Sequence, residues 1–347
     1  MTEISERAKP AAQVWFVDVG NGDCTVVVDE ETHCALVIDC PSSHVKDVKN
    51  LLTQARATLH TCVVTHWDAD HYGGVARLAV AFPVQKVMYN HDTLFESDDS
   101  PPYAVRGALK NFLNVSDAPH TLAAASAGSE GGFGRVSWRM LAPSHHELTM
   151  AYVSHKRNIA SAVMDISLPS LRILIGGDAV ASTWQRLMSE DLRADILRWP
   201  HHGADLAGDG SGLVADLVMN AVQPQYIVVS AGSSNTYGHP SSAIIRNVRS
   251  RGSLLCTQVT AGCFGFLTRA ERNSDAARGL IGQLDVSHCA GTVKVECYDD
   301  LYRVSPSDSE HEARIGQWPH PMCRTQTTAV SAGDVREVVP GSPTSST

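Results

Sequence analysis

Short apolar, β-branched runs alternate with amphipathic stretches along most of this chain. Runs of Val, Ile and Leu between turn-forming residues are typical of strands, and apolar residues at every third or fourth position are typical of helices. The runs predict strands at 14–20, 24–30, 34–40, 61–65, 84–90, 135–141, 160–168, 171–176, 194–200, 225–232, 253–258, 263–268, 291–297 and 301–305. The periodicity predicts helices at 45–59, 74–81, 103–114, 180–190, 211–222 and 241–250. Strands that alternate with helices indicate the α/β (α+β) class.

The ends of the chain and its glycine-rich stretches set the expected boundaries. Residues 1–12 and 324–347 are polar and without periodicity, so we expect both to be disordered. Between them we expect a main domain at 13–268 and a β and loop extension at 269–323 that packs on it. The Gly- and Ser-rich residues 124–134 are interpreted as a flexible loop or a tight turn.

Composition narrows the class of protein. The 347 residues contain 28 Lys and Arg against 37 Asp and Glu, a net charge of −9, which argues against sequence-independent binding to duplex nucleic acid. No apolar run approaches the roughly 18 residues of a membrane span, and residues 1–10 lack the apolar stretch of a signal peptide. We therefore expect a cytoplasmic protein without a membrane partner.

Nine cysteines stand out in this composition. An odd number without a secretory signal indicates reduced thiols, and we interpret these as core and surface residues. Five of them lie in the last third of the chain with no CxxC pair, and a structural metal there remains an alternative. The role of the region 256–323 stays open between a cover for the site edge, an extra β unit and a metal site.

Metal-seeking side chains recur where a predicted strand ends. Four of them follow the strand at 61–65, one follows that at 171–176 and two follow that at 194–200; in order they are His66, Asp68, Asp70, His71, Asp178, His201 and His202. Strand ends converge at one edge of a sheet, so the three loops can point into one cleft. Two divalent cations about 3.5–4 Å apart would satisfy so many buried carboxylates and imidazoles. Asp178 is the natural bridge, because its carboxylate can give one oxygen to each cation.

The order of these motifs resembles a known family. HWDADHYGG, with DVGNGDC upstream and GGD and HHG downstream, is similar to the metallo-β-lactamase-fold hydrolases, in particular the branch of the soluble ComEC-type DNA-uptake domain and the bacterial phosphorylcholine esterase. Asn158 and Ser161 in NIAS, and SNTYGHP at 234–240, also resemble that branch. The resemblance covers about residues 13–268 and implies a four-layer αββα sandwich with the metals at one edge between the sheets.

The resemblance also implies roles for individual residues. His66 and Asp68 would hold one metal, while Asp70 and His71 would help to hold the other. One of His201 and His202 would complete the second metal and its neighbour would face substrate; the sequence leaves open which. Asp178 would bridge the metals, and Asp18 would orient the ligands or their loop.

Two departures from the commoner motif bear on the metal. Asp68 stands where most of the superfamily has His, and no further His is securely placed between residues 72 and 177. The candidates for a further ligand are His91, His120, His145, His146 and His155. We expect two divalent ions, Zn²⁺ first, although a carboxylate-rich site also accommodates Mn²⁺ or Fe.

The expected function is that of a binuclear metal-dependent hydrolase, in which a metal-bridging hydroxide attacks a phosphoester, with a phosphodiester favoured. Asp70, His239 and Tyr237 are the predicted catalytic residues, and Asn158, Ser161 and His202 are the predicted substrate contacts. Single-stranded nucleic acid or a nucleotide is the favoured substrate class, although the net charge weighs against a processive nuclease. A small-molecule ester or lactam hydrolase and a non-catalytic binding or regulatory member remain as alternatives.

Overall fold

The computed structural model describes residues 9–90, 121–233, 235–260, 263, 289–316, 321–323 and 335–337. With strands numbered in chain order, the first sheet contains β1 (Ala12–Phe16), β2 (Thr25–Asp29), β3 (Cys34–Ile38), β4 (Thr58–Val63), β5 (Lys86–Tyr89), β6 (Thr121–Ala124), β14 (Val293–Cys297), β15 (Leu301–Ser305) and β16 (Val335–Glu337). These nine strands lie in the order β16-β15-β14-β1-β2-β3-β4-β5-β6. The strands from β3 to β6 are parallel, so their carboxyl ends share one edge of the sheet.

A second sheet of seven strands packs against the first. It contains β7 (Glu130–Phe133), β8 (Val136–Ala142), β9 (Val163–Leu168), β10 (Leu171–Ile175), β11 (Ile196–Arg198), β12 (Tyr226–Val229) and β13 (Ser253–Cys256). Its order is β13-β12-β11-β10-β9-β8-β7. The strands from β10 to β13 are parallel, which gives this sheet a single edge of carboxyl ends as well.

Helices cover the outer face of each sheet. They are α1 (Val45–Gln54), α2 (Ala69–Tyr72), α3 (Val75–Ala81), α4 (His145–Ser154), α5 (Ala181–Leu187), α6 (Leu213–Val222), α7 (Ser242–Val248) and α8 (Asp308–Ile315). One apolar core lies between the sheets and includes Phe16 and Ile173. A second lies under α1 and α3, and a third under α5, α6 and α7. The layers therefore run helix, sheet, sheet, helix, which confirms the predicted αββα sandwich.

The chain beyond residue 268 differs from the expected extension. β14 pairs with β1 and β15 pairs with β14, so these residues complete the first sheet. Of the expected disordered tail, 335–337 form β16 on the edge of that sheet, and the other residues of 324–347 lie outside the described ranges. The sheet therefore shows no boundary at residue 268, because strand pairing between distant segments leaves no signal in local composition.

Two local predictions also differ from the structure. Residues 124–134 are not a loop throughout, since β7 pairs with β8 there. Gly131 signals a turn in the sequence, but a Cβ at this position would lie 2.7 Å from the Trp138 ring, so glycine is what lets the indole pack on the strand. The helix α4 was missed because it has no apolar stripe: Met150, Tyr152 and Val153 are exposed, and a capping box at Ser144 starts the helix.

Some predictions lie outside the described residues. They are the helix at 103–114, the strand at 263–268 apart from Cys263, and the candidate ligands His91 and His120. Across the described ranges, no helix combines the length and apolar character needed to cross a membrane.

Candidate metal centre

The three strand-end loops meet at one end of the gap between the sheets. After β4, His66 and Asp68 lie in the loop, and Asp70 and His71 lie on the short helix α2. The loop after β10 carries Asp178, and the turn after β11 carries His201 and His202. β10 and β11 run parallel in register, with Ile175 opposite Arg198, so the loops that follow them leave the sheet side by side. The structure therefore brings all seven predicted ligands into one cluster.

The Asp178 carboxylate lies at the centre of this cluster and is 4% exposed. Its Oδ1 is 3.4 Å from Nε2 of His71 and 3.7 Å from Nε2 of His202. Its Oδ2 is 3.7 Å from Nε2 of His66 and 3.7 Å from Nε2 of His201. Each oxygen thus faces a different pair of imidazoles, which is the arrangement expected of a carboxylate between two cations.

Two further carboxylates divide between the two sides of Asp178. Oδ2 of Asp68 lies 3.3 Å from Nε2 of His66, and Oδ2 of Asp70 lies 3.7 Å from Nε2 of His202. We call His66, Asp68 and Oδ2 of Asp178 the first donor group. The second donor group consists of Asp70, His71, His202 and Oδ1 of Asp178.

The unpaired atoms of the cluster fit bound cations. Nε2 of His66 and Oδ1 of Asp178 are buried and have no hydrogen-bond partner among the described residues. Buried polar atoms normally have a partner, and leaving one without costs roughly 1–3 kcal/mol. Both atoms are good ligands for a divalent cation and point into the cluster, so a cation at each donor group would satisfy them.

The charges of the cluster perturb its protonation. Burial acts to raise the pKa of Asp178, but the surrounding imidazoles, His202 and His71 foremost, lower it overall. Burial acts to lower the pKa of His71, but the carboxylates of Asp178 and Asp39 raise it overall. The two carboxylates thus favour positive charge on His71, at a position where a cation would take the place of the proton.

A buried carboxylate orients His71. Nδ1 of His71 lies 2.8 Å from Oδ2 of Asp39, which directs Nε2 towards Asp178. Asp39 is held in turn by the backbone N–H of Thr65 at 2.8 Å and by the Thr65 hydroxyl at 2.6 Å. Carboxylates placed in this way fix the tautomer of a metal-binding imidazole.

A second carboxylate stands behind His202. Nδ1 of His202 lies 3.4 Å from Oδ1 of Asp23, and the same oxygen accepts a 2.6 Å hydrogen bond from Nη2 of Arg198. Arg198 is fully buried, with its guanidinium 5.9 Å from the centre of the Phe16 ring. Burial opposes ionisation of Asp23, but Arg198 and His202 hold the pKa of its carboxyl well below the usual range. The pair therefore places a fixed negative charge against the outer nitrogen of His202.

Backbone conformation aims the two adjacent histidines in different directions. His201 and His202 have φ values of 51° and 52°, in the left-handed region that residues with a Cβ rarely adopt. The two rings consequently face opposite oxygens of Asp178, although they are neighbours in sequence. Strain of this kind persists where the surrounding structure enforces it, which is typical of functional sites.

The other predicted residues take different positions. Nδ2 of Asn158 lies 3.4 Å from Nε2 of His201. A third of the His201 side chain is exposed, and we call this side of the cluster the open side. Ser161 is fully buried, and its hydroxyl accepts the backbone N–H of Asp178 at 2.8 Å. It therefore holds the Asp178 loop, whereas the sequence suggested a substrate contact. Asp18 hydrogen-bonds to Gln258 and Gly20, and it is Asp23 that lies against a histidine of the cluster.

The loop at 235–240 lies beside the open side. The ring of His239 is 5.7 Å from the ring of His201, and the ring of Tyr237 stacks on His239 at 5.8 Å with an interplanar angle of 14°. Asn235 hydrogen-bonds to the backbone N–H and C=O of His239, which fixes the loop. Tyr237 is 72% exposed, so one aromatic face near the metal cluster is available to solvent.

Sequence reasoning missed several residues of the site. Asp39 comes directly after β3, which pairs with β4, so the strand-end rule that found the predicted ligands could have found it too. Asp23, Arg198 and Arg157 carry no such signal, because their roles depend on contacts between distant segments. Nη1 of Arg157 donates to Oδ1 of Asp68 at 2.9 Å, beside the open side of the cluster.

Comparison with known proteins agrees with the fold. Residues 17–195 match the model of the metallo-beta-lactamase superfamily, which is more than half of the chain. The chain therefore belongs to the metallo-beta-lactamase superfamily, whose fold is that of metal-dependent hydrolases.

Several individual proteins are similar to this chain. Competence protein ComA of Neisseria gonorrhoeae is 28% identical over 120 residues, 33% of this chain and 16% of that protein. Recombination protein 2 of Haemophilus influenzae is 21% identical over 251 residues, 71% of this chain and 27% of that protein. The chain thus matches little more than a quarter of these curated relatives at most.

Solved structures with a similar fold are more distant in sequence. YhfI from Bacillus subtilis is 10% identical with a TM-score of 0.44, covering 71% of this chain and 95% of that one. Zn²⁺-bound PqqB from Methylobacterium extorquens is 10% identical with a TM-score of 0.46, covering 71% of this chain and 97% of that one.

Proposed function

We propose that this protein is a binuclear metal-dependent phosphodiesterase. The observation that carries the proposal is the position of the Asp178 carboxylate between two pairs of imidazoles. Each of its oxygens faces a different pair, at 3.4–3.7 Å. A carboxylate shared in this way supports a pair of cations, and paired cations are characteristic of hydrolytic enzymes that act on phosphoesters.

The two donor groups differ in the number of their donors. The second donor group would hold one cation with four residues: Asp70, His71, His202 and Asp178 through Oδ1. The first donor group would hold a cation with three residues, His66, Asp68 and Asp178 through Oδ2, and would leave a ligand position for water or substrate, as a catalytic site requires. We assign His202 as the ligand of the pair 201–202, because its donor atoms lie with those of Asp70 and His71 within 4.8 Å of one another.

His201 then faces the substrate. A third of its side chain is exposed, and it is flanked by Asn158 and His239. Two cations held here would lower the pKa of water and stabilise negative charge on a phosphoryl group. The imidazole of His201 and the amide N–H of Asn158 donate to the non-bridging oxygens, and an imidazole N–H of His239 protonates the leaving oxygen.

The open side of the site favours a phosphate over a neutral carbonyl substrate. Arg157 lies there with its guanidinium 2.9 Å from Oδ1 of Asp68, and it is the neighbour of Asn158 in the sequence. Polar and cationic donors of this kind match the negative charge that a phosphodiester shares between its two non-bridging oxygens, and the further charge that develops there when a nucleophile attacks. A lactam or a neutral ester needs fewer of them.

The exposed ring of Tyr237 favours a nucleotide substrate. It is stacked on His239 and has its other face open, so a base attached to the phosphate can stack there. Relatives named for competence and for recombination support a substrate of the nucleic-acid class. The net charge of −9 disfavours a long bound strand, so we propose a nucleotide or a short single-stranded segment as the substrate.

The metal content and turnover of purified protein test this proposal. We expect two cations per chain at this centre and hydrolysis of bis-p-nitrophenyl phosphate that a chelator abolishes and Zn²⁺ or Mn²⁺ restores. Asp178→Ala should lose both cations and at least about 1,000-fold in kcat/KM, since it removes the bridge. Asp299→Ala serves as the control, because this exposed carboxylate pairs with Arg135 on the surface.

A comparison of substrates tests the finer claim. We expect turnover of a nucleoside p-nitrophenyl phosphodiester and a short single-stranded oligonucleotide, with slower turnover of a lactam. A protein that binds two cations but hydrolyses only a lactam or a carboxylic ester would contradict the phosphodiester assignment. A protein without cations and without turnover of any of these would contradict the enzyme itself.

A further inference from the structure

A second cluster of metal-seeking side chains lies apart from the donor groups. Sγ of Cys289 is 3.1 Å from Nε2 of His311, and the donor atoms of Cys289, His311 and Cys323 all lie within 4.8 Å of one another. We call these three residues the thiol–imidazole cluster. Cys256 belongs to the same buried core as Cys289, and Cys263 packs against that core.

The cluster gathers segments that are distant in sequence. Cys256 ends β13 in the second sheet, Cys289 lies just before β14 in the first sheet, and His311 lies on α8. The backbone N–H of Cys289 donates to the carbonyl of Thr257 at 3.1 Å, and Ala290 N–H donates to the carbonyl of Cys256 at 2.8 Å. The cluster therefore lies where the end of β13, in the second sheet, is hydrogen-bonded to the segment that leads into β14, in the first sheet.

The surroundings of the cluster are apolar. Cys289 and Cys256 belong to the same buried core as Leu254, Val259 and Ile315, and the imidazole of His311 is only 5% exposed within it. Two thiols and an imidazole whose donor atoms lie within 4.8 Å of one another in an apolar core form a donor set that suits a soft divalent cation.

We propose that the chain binds a structural Zn²⁺ through Cys289, His311, Cys323 and one of the two neighbouring cysteines, Cys256 or Cys263. Structural zinc sites are tetrahedral with Cys and His ligands, and Zn–S and Zn–N bonds of about 2.3 and 2.0 Å place donor atoms about 3.3–3.8 Å apart. The 3.1 Å contact of Cys289 with His311 is close to that separation.

The chemistry of this site differs from that of the candidate metal centre. Thiolates select a soft cation such as Zn²⁺, whereas the carboxylate-rich donor groups also accommodate Mn²⁺. Binding releases the thiol protons to solvent, and His311 ligates as neutral imidazole through Nε2. Four protein ligands leave no open position, so the ion ties the C-terminal segments to the two sheets and takes no part in turnover.

The stoichiometry of zinc in the full chain tests the site. We expect one zinc beyond the cations of the candidate metal centre, and Cys289→Ser and Cys323→Ser should each lose one equivalent. Cys34→Ser is the matched control, because this half-buried thiol lies on β3 outside the cluster. Asp178→Ala should keep the thiolate-bound zinc after losing the other cations, so the two metal assignments can fail independently.

The fourth ligand is identified by the same measurement on Cys256→Ser and Cys263→Ser, of which one should lose the zinc.

Cobalt loading of the unaltered protein gives a readout that does not depend on the folding of a variant. We expect the near-ultraviolet thiolate-to-cobalt charge-transfer band of a tetrahedral site, also in Asp178→Ala. Absence of this band, or a Cys289–Cys323 disulfide by mass spectrometry of freshly purified protein, would overturn the proposal.

Discussion

Nδ1 of His71 lies 2.8 Å from Oδ2 of Asp39, and both side chains are almost completely buried. In the neutral imidazole the carboxylate would hold the proton on Nδ1, so Nε2 would be available as the ligand of a cation beside Asp178. The contact joins the residue that follows β3, Asp39, to the helix α2, which carries His71.

Asp39→Asn should weaken binding of the cation at the second donor group. The amide keeps the size of the carboxylate but removes the charge that orients His71, and changes of this kind typically cost about 10–100-fold in metal affinity. Competition with a chromophoric chelator measures the affinity. Asp47→Asn, an exposed change on α1, is the control, and equal affinities for the two variants would contradict the orienting role.

Arg198→Met should destabilise the protein. The substitution leaves Asp23 buried without the guanidinium that donates to it at 2.6 Å. Removal of one partner of a buried ion pair costs about 3–5 kcal/mol. Denaturation in urea measures the loss of unfolding free energy, with the exposed Arg193→Met as control. The double variant Arg198→Met with Asp23→Asn should recover part of the loss, because no charge is then left unpaired. An additive loss in the double variant would show that the two residues are not coupled.

Tyr237→Ala should raise KM selectively for nucleotide substrates. Loss of base stacking is worth about 1–3 kcal/mol, which corresponds to roughly 5-fold to 100-fold in KM. A nucleoside p-nitrophenyl phosphodiester should show the effect, and methyl p-nitrophenyl phosphate, which has no base, should show much less. Tyr237→Phe keeps the ring and should behave as the unaltered protein. An equal effect on both substrates would assign Tyr237 a structural role.

Glu147 makes a contribution to stability that depends on pH. Burial acts to raise the pKa of this carboxyl, but the hydrogen bonds from Arg186 and Ser144 lower it overall from its ordinary value of 4.5. Because the pKa is lower in the folded state, the stabilisation is present above about pH 4.5 and is lost as the pH falls through the folded-state value. Glu147→Gln should therefore reduce the free energy of unfolding at pH 7. The free energy of unfolding of the variant should also fall less steeply between pH 7 and acidic pH than that of the unaltered protein. An unchanged acid profile would contradict this.

The strand-end motifs could be predicted from sequence because they follow one rule. His66, Asp178 and His201 follow closely on apolar runs, and parallel strands bring the ends of such runs to one edge. The same rule extends to Asp39. It does not extend to Arg198, which occupies an ordinary strand position in the sequence and acquires its role only by packing against Asp23 from another segment.

The C-terminal region contains contacts that local sequence patterns do not predict. The cysteines there have no metal-binding spacing, and their contacts arise only when β13, β14 and α8 pack together. Likewise β7 contains two glycines, which predict a loop or a turn, although Gly131 allows Trp138 to pack across the strand pair. In each case the deciding interaction joins residues that no short window of sequence contains.

The central claim is that Asp178 lies between two cations, and anomalous diffraction from crystals of the zinc-loaded protein tests it most directly. We predict two anomalous peaks about 3.5–4 Å apart, one next to each oxygen of the Asp178 carboxylate. The thiolate-bound zinc would give a separate peak beside Cys289 and does not enter this test. A single peak at Asp178, or none, in crystals that contain excess zinc would contradict the binuclear centre.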